Sequence, residues 1–210
     1  MQERNKNSAL PLALLVGTLA LYLLLWQYLS PRFSLPVYYY GRMIEVLATL
    51  LFLLLALFTP MDFAQMGILS PRATLLRSLA AGGGVALLVV VGLALFSLAT
   101  RGGISFSWQV AGGISRATYI LVAPFQEILA KSVMLYSLER CFDGKHPHAA
   151  NLLAALVFGA FHVVYGLRMM LLAMLLCYTT GLLFLRCRSV WGCAVMHFAL
   201  GFFPPCFGFS

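Results

Sequence analysis

Glu127 and Lys131 stand four residues apart within an apolar run extending from about 117 to 138, and Gln126 precedes the acid. On a helix this spacing puts carboxylate and ammonium on one face, close enough to pair. Ionised groups in hydrocarbon cost on the order of 3 kcal/mol each unless they face a protein interior or a wet cavity. An ion pair that only fixes helix packing satisfies that condition, and so does a site that moves protons. Two later apolar runs carry one histidine each, His162 and His197. An acid and two imidazoles on three separate runs should all turn inward, away from lipid. Three chemistries fit such a set. Glu127 could act as general base on a water while the histidines stabilise an oxyanion. Glu127, His162 and His197 could hold zinc, or they could relay protons in a transporter. Spacing does not choose among them, because no pair has the His-Glu-x-x-His arrangement of a zinc helix. His146 and His148 lie in a charged loop and read as solvated side chains.

The elements that must position these groups follow from composition. The 210 residues are 62% hydrophobic and 10% charged, against about 25% charged in soluble domains. The chain therefore reads as an integral membrane protein, an all-α polytopic helix bundle. A lipid-spanning helix needs about 20 apolar residues. The apolar runs lie near 9–29, 43–58, 79–99, 117–138, 149–166, 168–185 and from 190 to the paired Pro204-Pro205. About seven spans are expected, the sixth interrupted by Tyr178-Thr179-Thr180-Gly181. The division is 1–116 for N-terminal helices and loops and 117–210 for a catalytic core, within one membrane domain. Tyr38-Tyr39-Tyr40 suits an interfacial loop. Gly82-Gly83-Gly84 suits close approach of a neighbouring backbone. A loop at 100–116 is rich in glycine and holds Trp108.

The formal charge is +8, which does not imply nucleic acid, because the basic residues are spread over the ends of apolar runs. Counting seven spans with the N-terminus inside, Arg4, Lys6, Arg72, Arg77, Arg140, Lys145, Arg186 and Arg188 fall inside. Arg32, Arg42, Arg101, Arg116 and Arg168 fall outside. Eight against five favours a cytoplasmic N-terminus. The five cysteines include no CxxC pair and read as small apolar fillers.

Gln126-Glu127-x-x-x-Lys131, Phe158-x-x-x-His162 and His197-x-x-x-Gly201, in this order on successive apolar runs, resemble the CPBP family of intramembrane proteases. That family includes the CAAX prenyl endopeptidases and the Abi bacteriocin-processing and immunity proteins. Its usual motifs are Glu-Glu-x-x-x-Arg, Phe-x-x-x-His and His-x-x-x-Asn or Asp. The segment from Ser189 to His197 also looks like the family's approach to its last histidine. The resemblance implies a glutamic-type endopeptidase acting without an obligatory metal or cofactor on a membrane-anchored peptide or protein in the bilayer. The substrate would be a prenylated tail, a peptide precursor or a C-terminal sorting tail. The last is the substrate of a bacterial branch similar to JDVT-CTERM proteases, which would place the chain in a bacterial inner membrane. Glu127, His162 and His197 are the expected catalytic residues, supported by Gln126, Lys131, Phe158 and Gly201. Three positions depart from the pattern: an amide at Gln126, an ammonium without the planar fork at Lys131, and no side chain at Gly201. These departures leave open a non-catalytic immunity or scaffold protein.

Overall fold

The computed structural model describes residues 2–33, 37–58, 62–107 and 118–208. The described residues form seven long helices and no strand: α1 (Gln2–Leu29), α2 (Val37–Phe58), α3 (Arg72–Arg101), α4 (Tyr119–Cys141), α5 (Pro147–Ala160), α6 (Leu167–Cys187) and α7 (Val190–Cys206). The all-α bundle is the one the apolar runs imply, since a helix satisfies its own backbone where water is absent. Among the described residues, four helices contain windows long and apolar enough to cross a membrane: Leu12–Leu29, Arg72–Arg101, Tyr119–Cys141 and Leu167–Cys187. Two shorter apolar helices, Pro147–Ala160 and Val190–Cys206, pack among them.

Several boundaries differ from the sequence reading. Tyr38, Tyr39 and Tyr40 lie in the first turns of α2 and not in a loop. The third helix begins at Arg72, directly after Pro71, seven residues earlier than its apolar run. The sixth is uninterrupted. Thr179 and Thr180 return their hydroxyls to carbonyls one turn back, at Leu175 and Leu176, and so stay within the helix at little polar cost. Gly181 then lets Asn151 of α5 close against α6, where its amide donates to the Tyr178 carbonyl at 2.9 Å. The paired prolines lie inside the end of α7. The Gly-rich loop leaves the described residues after Ser107, so Trp108 and Arg116 lie outside them.

The centre of the bundle is α4. Pro124 removes one backbone donor within it, and residues 128–135 widen into a π-helix. Residues 129–135 are all buried, with no face left for lipid. Such complete enclosure marks a helix surrounded by others, and α1, α5, α6 and α7 all pack against it. On the other side of α7 runs α3. A Cβ at Gly82 would overlap the Gly192 carbonyl, and one at Gly192 would overlap Ser78. The glycine triplet thus permits close approach through Gly82 alone; nothing lies within 4 Å of a Cβ at Gly83 or Gly84. At this crossing Ser78 Oγ accepts from the Gly192 N–H at 3.1 Å and donates to the Ser189 carbonyl at 3.2 Å. The Val190 N–H reaches the Gly67 carbonyl at 3.1 Å. First-turn donors of α7, which no helix can satisfy internally, therefore find partners on α3 and its preceding loop.

Candidate active site

Glu127 is the last residue before the π segment and has no solvent-exposed surface. Its Oε1 accepts from His197 Nδ1 of α7 at 2.7 Å and from Thr180 Oγ of α6 at 3.3 Å. The second oxygen, Oε2, faces Lys131 Nζ at 3.8 Å. Lys131 is equally buried, and its ammonium donates to the Cys177 carbonyl at 2.6 Å and to Cys177 Sγ at 3.0 Å. Cys193 extends the network by donating its thiol to the Thr180 carbonyl at 3.1 Å. Two cysteines read as fillers are therefore hydrogen-bonding members of the site's base.

Hydrogen bonds from the two members of this α4 ion pair join it to α6 and α7. A buried pair adds little to stability over apolar residues of the same volume, but losing either partner strands the other charge. The Thr180 hydroxyl has one proton and three acceptors in reach: Glu127 Oε1 and the carbonyls of Leu176 and Cys177. It can therefore support the carboxylate without becoming unpaired when the acid rearranges.

His162 does not lie within a helix. It follows the end of α5, in the turn before the short 3₁₀ segment Val163–Tyr165, and is half-buried. Its Nδ1 pairs with the Phe158 carbonyl at 2.9 Å. The Phe158 ring lies 4.9 Å from the His162 ring and 6.0 Å from that of His197, centroid to centroid. The two imidazoles thus flank one aromatic spacer, which gives the Phe-x-x-x-His spacing a physical meaning. Glu127 bonds His197 directly, whereas His162 joins the group through Phe158.

Of the other predicted residues, Lys131 lies beside Glu127 and Phe158 lies between the two imidazoles. Gln126 is half-buried on the same helix as Glu127. Gly201 lies one turn beyond His197, and the hydroxyl of Tyr119 occupies the position its Cβ would take. The Tyr119 ring stands nearly perpendicular to His197, at 6.0 Å. His146 and His148 are exposed, away from this network. Among the described residues, no three His, Cys, Asp or Glu side chains gather closely enough to hold a metal. No step below is routed through a metal.

Three members of the site escape motif reading. Thr180 lies in the polar stretch read as a break in the sixth helix; that polarity was its signal. Cys177 looks like any small apolar residue until Lys131 reaches it. Tyr119 has no local signal at all.

No curated protein and no solved structure matches the chain. Residues 114–203 match the family model described as type II CAAX prenyl endopeptidase Rce1-like. The matched segment contains all three motifs and every residue of the network just described, and over this segment the chain is similar to the CAAX prenyl endopeptidases of the CPBP family.

Proposed function

We propose that the chain is an intramembrane endopeptidase that hydrolyses a peptide bond in a membrane-anchored substrate, using a water activated at the Glu127–His197 pair. The observation that carries this reading is the 2.7 Å contact between a fully buried carboxylate and His197 Nδ1. A carboxylate only accepts, so Nδ1 carries the proton and Nε2 offers a lone pair on the far side of the ring. The same arrangement orients the base in hydrolases that use a carboxylate behind an imidazole. Glu127 has no exposed surface and its Oε1 is engaged by His197 and Thr180, while Oε2 has no hydrogen-bond partner among the described residues and only Lys131 at 3.8 Å. The contact to His197 supports a positioning role for the acid behind the imidazole. His197 Nε2 then takes the proton from water, and the imidazolium formed is stabilised by the acid behind it. Half-buried His162, across Phe158, orients the water through its Nε2 lone pair.

The Rce1-like match supports a substrate whose tail is held at the membrane, with the cleaved bond presented to the bundle interior. Both a prenylated C-terminus and a hydrophobic sorting tail meet that description. Each can be co-expressed as a reporter and its cleavage read by intact mass. Wild type should release a product from one of them. Glu127→Gln keeps the volume but allows His197 the wrong tautomer, and cleavage should fall by about 10,000-fold. His162→Ala should cost about 100-fold or more. A non-catalytic scaffold, the reading that Gln126 leaves open, would instead retain the reporter uncleaved in wild type and Glu127→Gln alike.

A further inference from the structure

His162 sits in the turn between α5 and α6, outside any long helix. Its imidazole is fixed at one atom, where Nδ1 meets the Phe158 carbonyl at 2.9 Å. Its N–H donates to the Gly159 carbonyl at 2.8 Å, which ties the turn back to the end of α5. Misplacing a reacting group by about 1 Å can cost about 100-fold in rate. The position of this turn therefore matters to any chemistry that uses the ring.

The residues on either side of His162 are anchored, and both anchors lie on N-terminal helices. Before it, the Phe161 ring packs against Tyr22 of α1, with centroids 6.1 Å apart and planes at 40°. Tyr22 has no exposed surface, so this contact is held within the bundle. After it, the Tyr165 N–H donates to the His162 carbonyl at 3.0 Å, and the two rings stand 6.2 Å apart. The Tyr165 hydroxyl reaches α2, where it occupies the space that a Cβ at Gly41 would fill. Tyr165 is 41% exposed and Gly41 is buried, so the phenol runs from the surface inward to α2. Both α1 and α2 precede residues 114–203, the segment that carries the three motifs.

We propose that Tyr165, seated at Gly41 of α2, is a positioning residue that holds His162 in place for peptide hydrolysis, with Tyr22 of α1 steadying the other side of the turn. This role rests on the protease reading above. It gives the N-terminal helices a task that no motif carries, which is to set where the second imidazole points. Tyr165 acts through the backbone and ring of His162, and only His162 meets the water.

The test uses the full chain in phosphatidylethanolamine/phosphatidylglycerol vesicles, with a farnesylated fluorogenic CAAX peptide and a fluorogenic hydrophobic-tail peptide as probes. Gly41→Ala puts a methyl where the phenol oxygen sits and must shift the turn. On whichever probe wild type cleaves, kcat should fall about 10- to 100-fold, with KM within about twofold. Tyr165→Phe makes room for that methyl, so the double variant Gly41→Ala/Tyr165→Phe should return to within about threefold of wild type. In a His162→Ala background, Gly41→Ala should cost nothing further, because the group it misplaces is gone. A loss of packing alone would carry over into that background unchanged. Tyr165→Ala adds no bulk and serves if Gly41→Ala does not fold: kcat should fall similarly, and again not in His162→Ala. Wild-type kcat in Gly41→Ala or in Tyr165→Ala would overturn the positioning role. So would a loss that persists in the double variant or in the His162→Ala background. In each of these cases, wild-type turnover that disappears in His197→Ala leaves the protease reading standing. If wild type cleaves neither probe, that reading fails and the role of Tyr165 fails with it.

Discussion

α3 and α4 are both apolar membrane helices, yet they bury opposite kinds of surface. In α3, 30 residues long, the buried positions are Ser78, Gly82 and Ser97; its leucines, such as Leu87 and Leu88, face outward. In α4 the π segment is enclosed on all sides, and its interior holds an ion pair. Both buried serines on α3 complete a backbone: Ser78 serves the start of α7, and Ser97 Oγ bonds the Gly103 carbonyl at 3.0 Å. Glu127 on α4 instead reaches side chains on α6 and α7, ending at an imidazole. Polarity inside a membrane protein is therefore not by itself a sign of chemistry. The distinguishing features are formal charge and a chain of side-chain partners leading to a titratable ring.

The contrast can be broken most severely at Lys131. Lys131→Ala strands the Glu127 carboxylate without exposure or counter-charge, and unfolding in detergent should show a loss of about 3–5 kcal/mol. A loss below about 1 kcal/mol would mean that the buried network does not hold the helices together. Next comes Gly82→Leu, which must push α3 off α7 and should cost about 1–3 kcal/mol. Gly83→Leu, one residue along and facing open space, should stay within about 0.5 kcal/mol; equal effects would contradict the crossing described here. Smallest is Ser78→Ala, expected to cost about 1 kcal/mol by removing a partner of the Gly192 N–H. It should leave peptide cleavage unchanged, which separates polar groups that support the backbone from those that do chemistry.

Helix number and order were legible in the sequence because hydrocarbon imposes long uninterrupted apolar runs. Element ends were less so. The tyrosines of α2 and the first turns of α3 are polar enough to look like loops, yet a helix continues through them because its backbone bonds do not depend on side-chain polarity. Thr179 and Thr180 misled for the same reason: a hydroxyl that bonds its own preceding turn is compatible with a helix. Within the site, Glu127, Lys131 and His197 could be named because charge is rare in this composition. That rarity could not say which atoms meet. The carboxylate could have faced water, and only the fold turns it toward His197. Thr180, Cys177 and Tyr119 are ordinary residues made relevant by what lies opposite them, and no spacing rule along one chain encodes an opposite helix.

The widened turns at 128–135 separate two acids on one rod. Upstream, Glu127 answers to His197; downstream, Glu139 answers to Arg188, whose guanidinium grips it at 2.6 and 2.8 Å just before α7 begins. With ordinary winding through the middle, the angle between these acids would be fixed at another value, and one of them would have to turn from its partner. Excision of a single amino acid from this stretch would leave both ends chemically intact and set them out of phase, uncoupling the Glu127–His197 pair from the clasp that anchors its neighbouring helix.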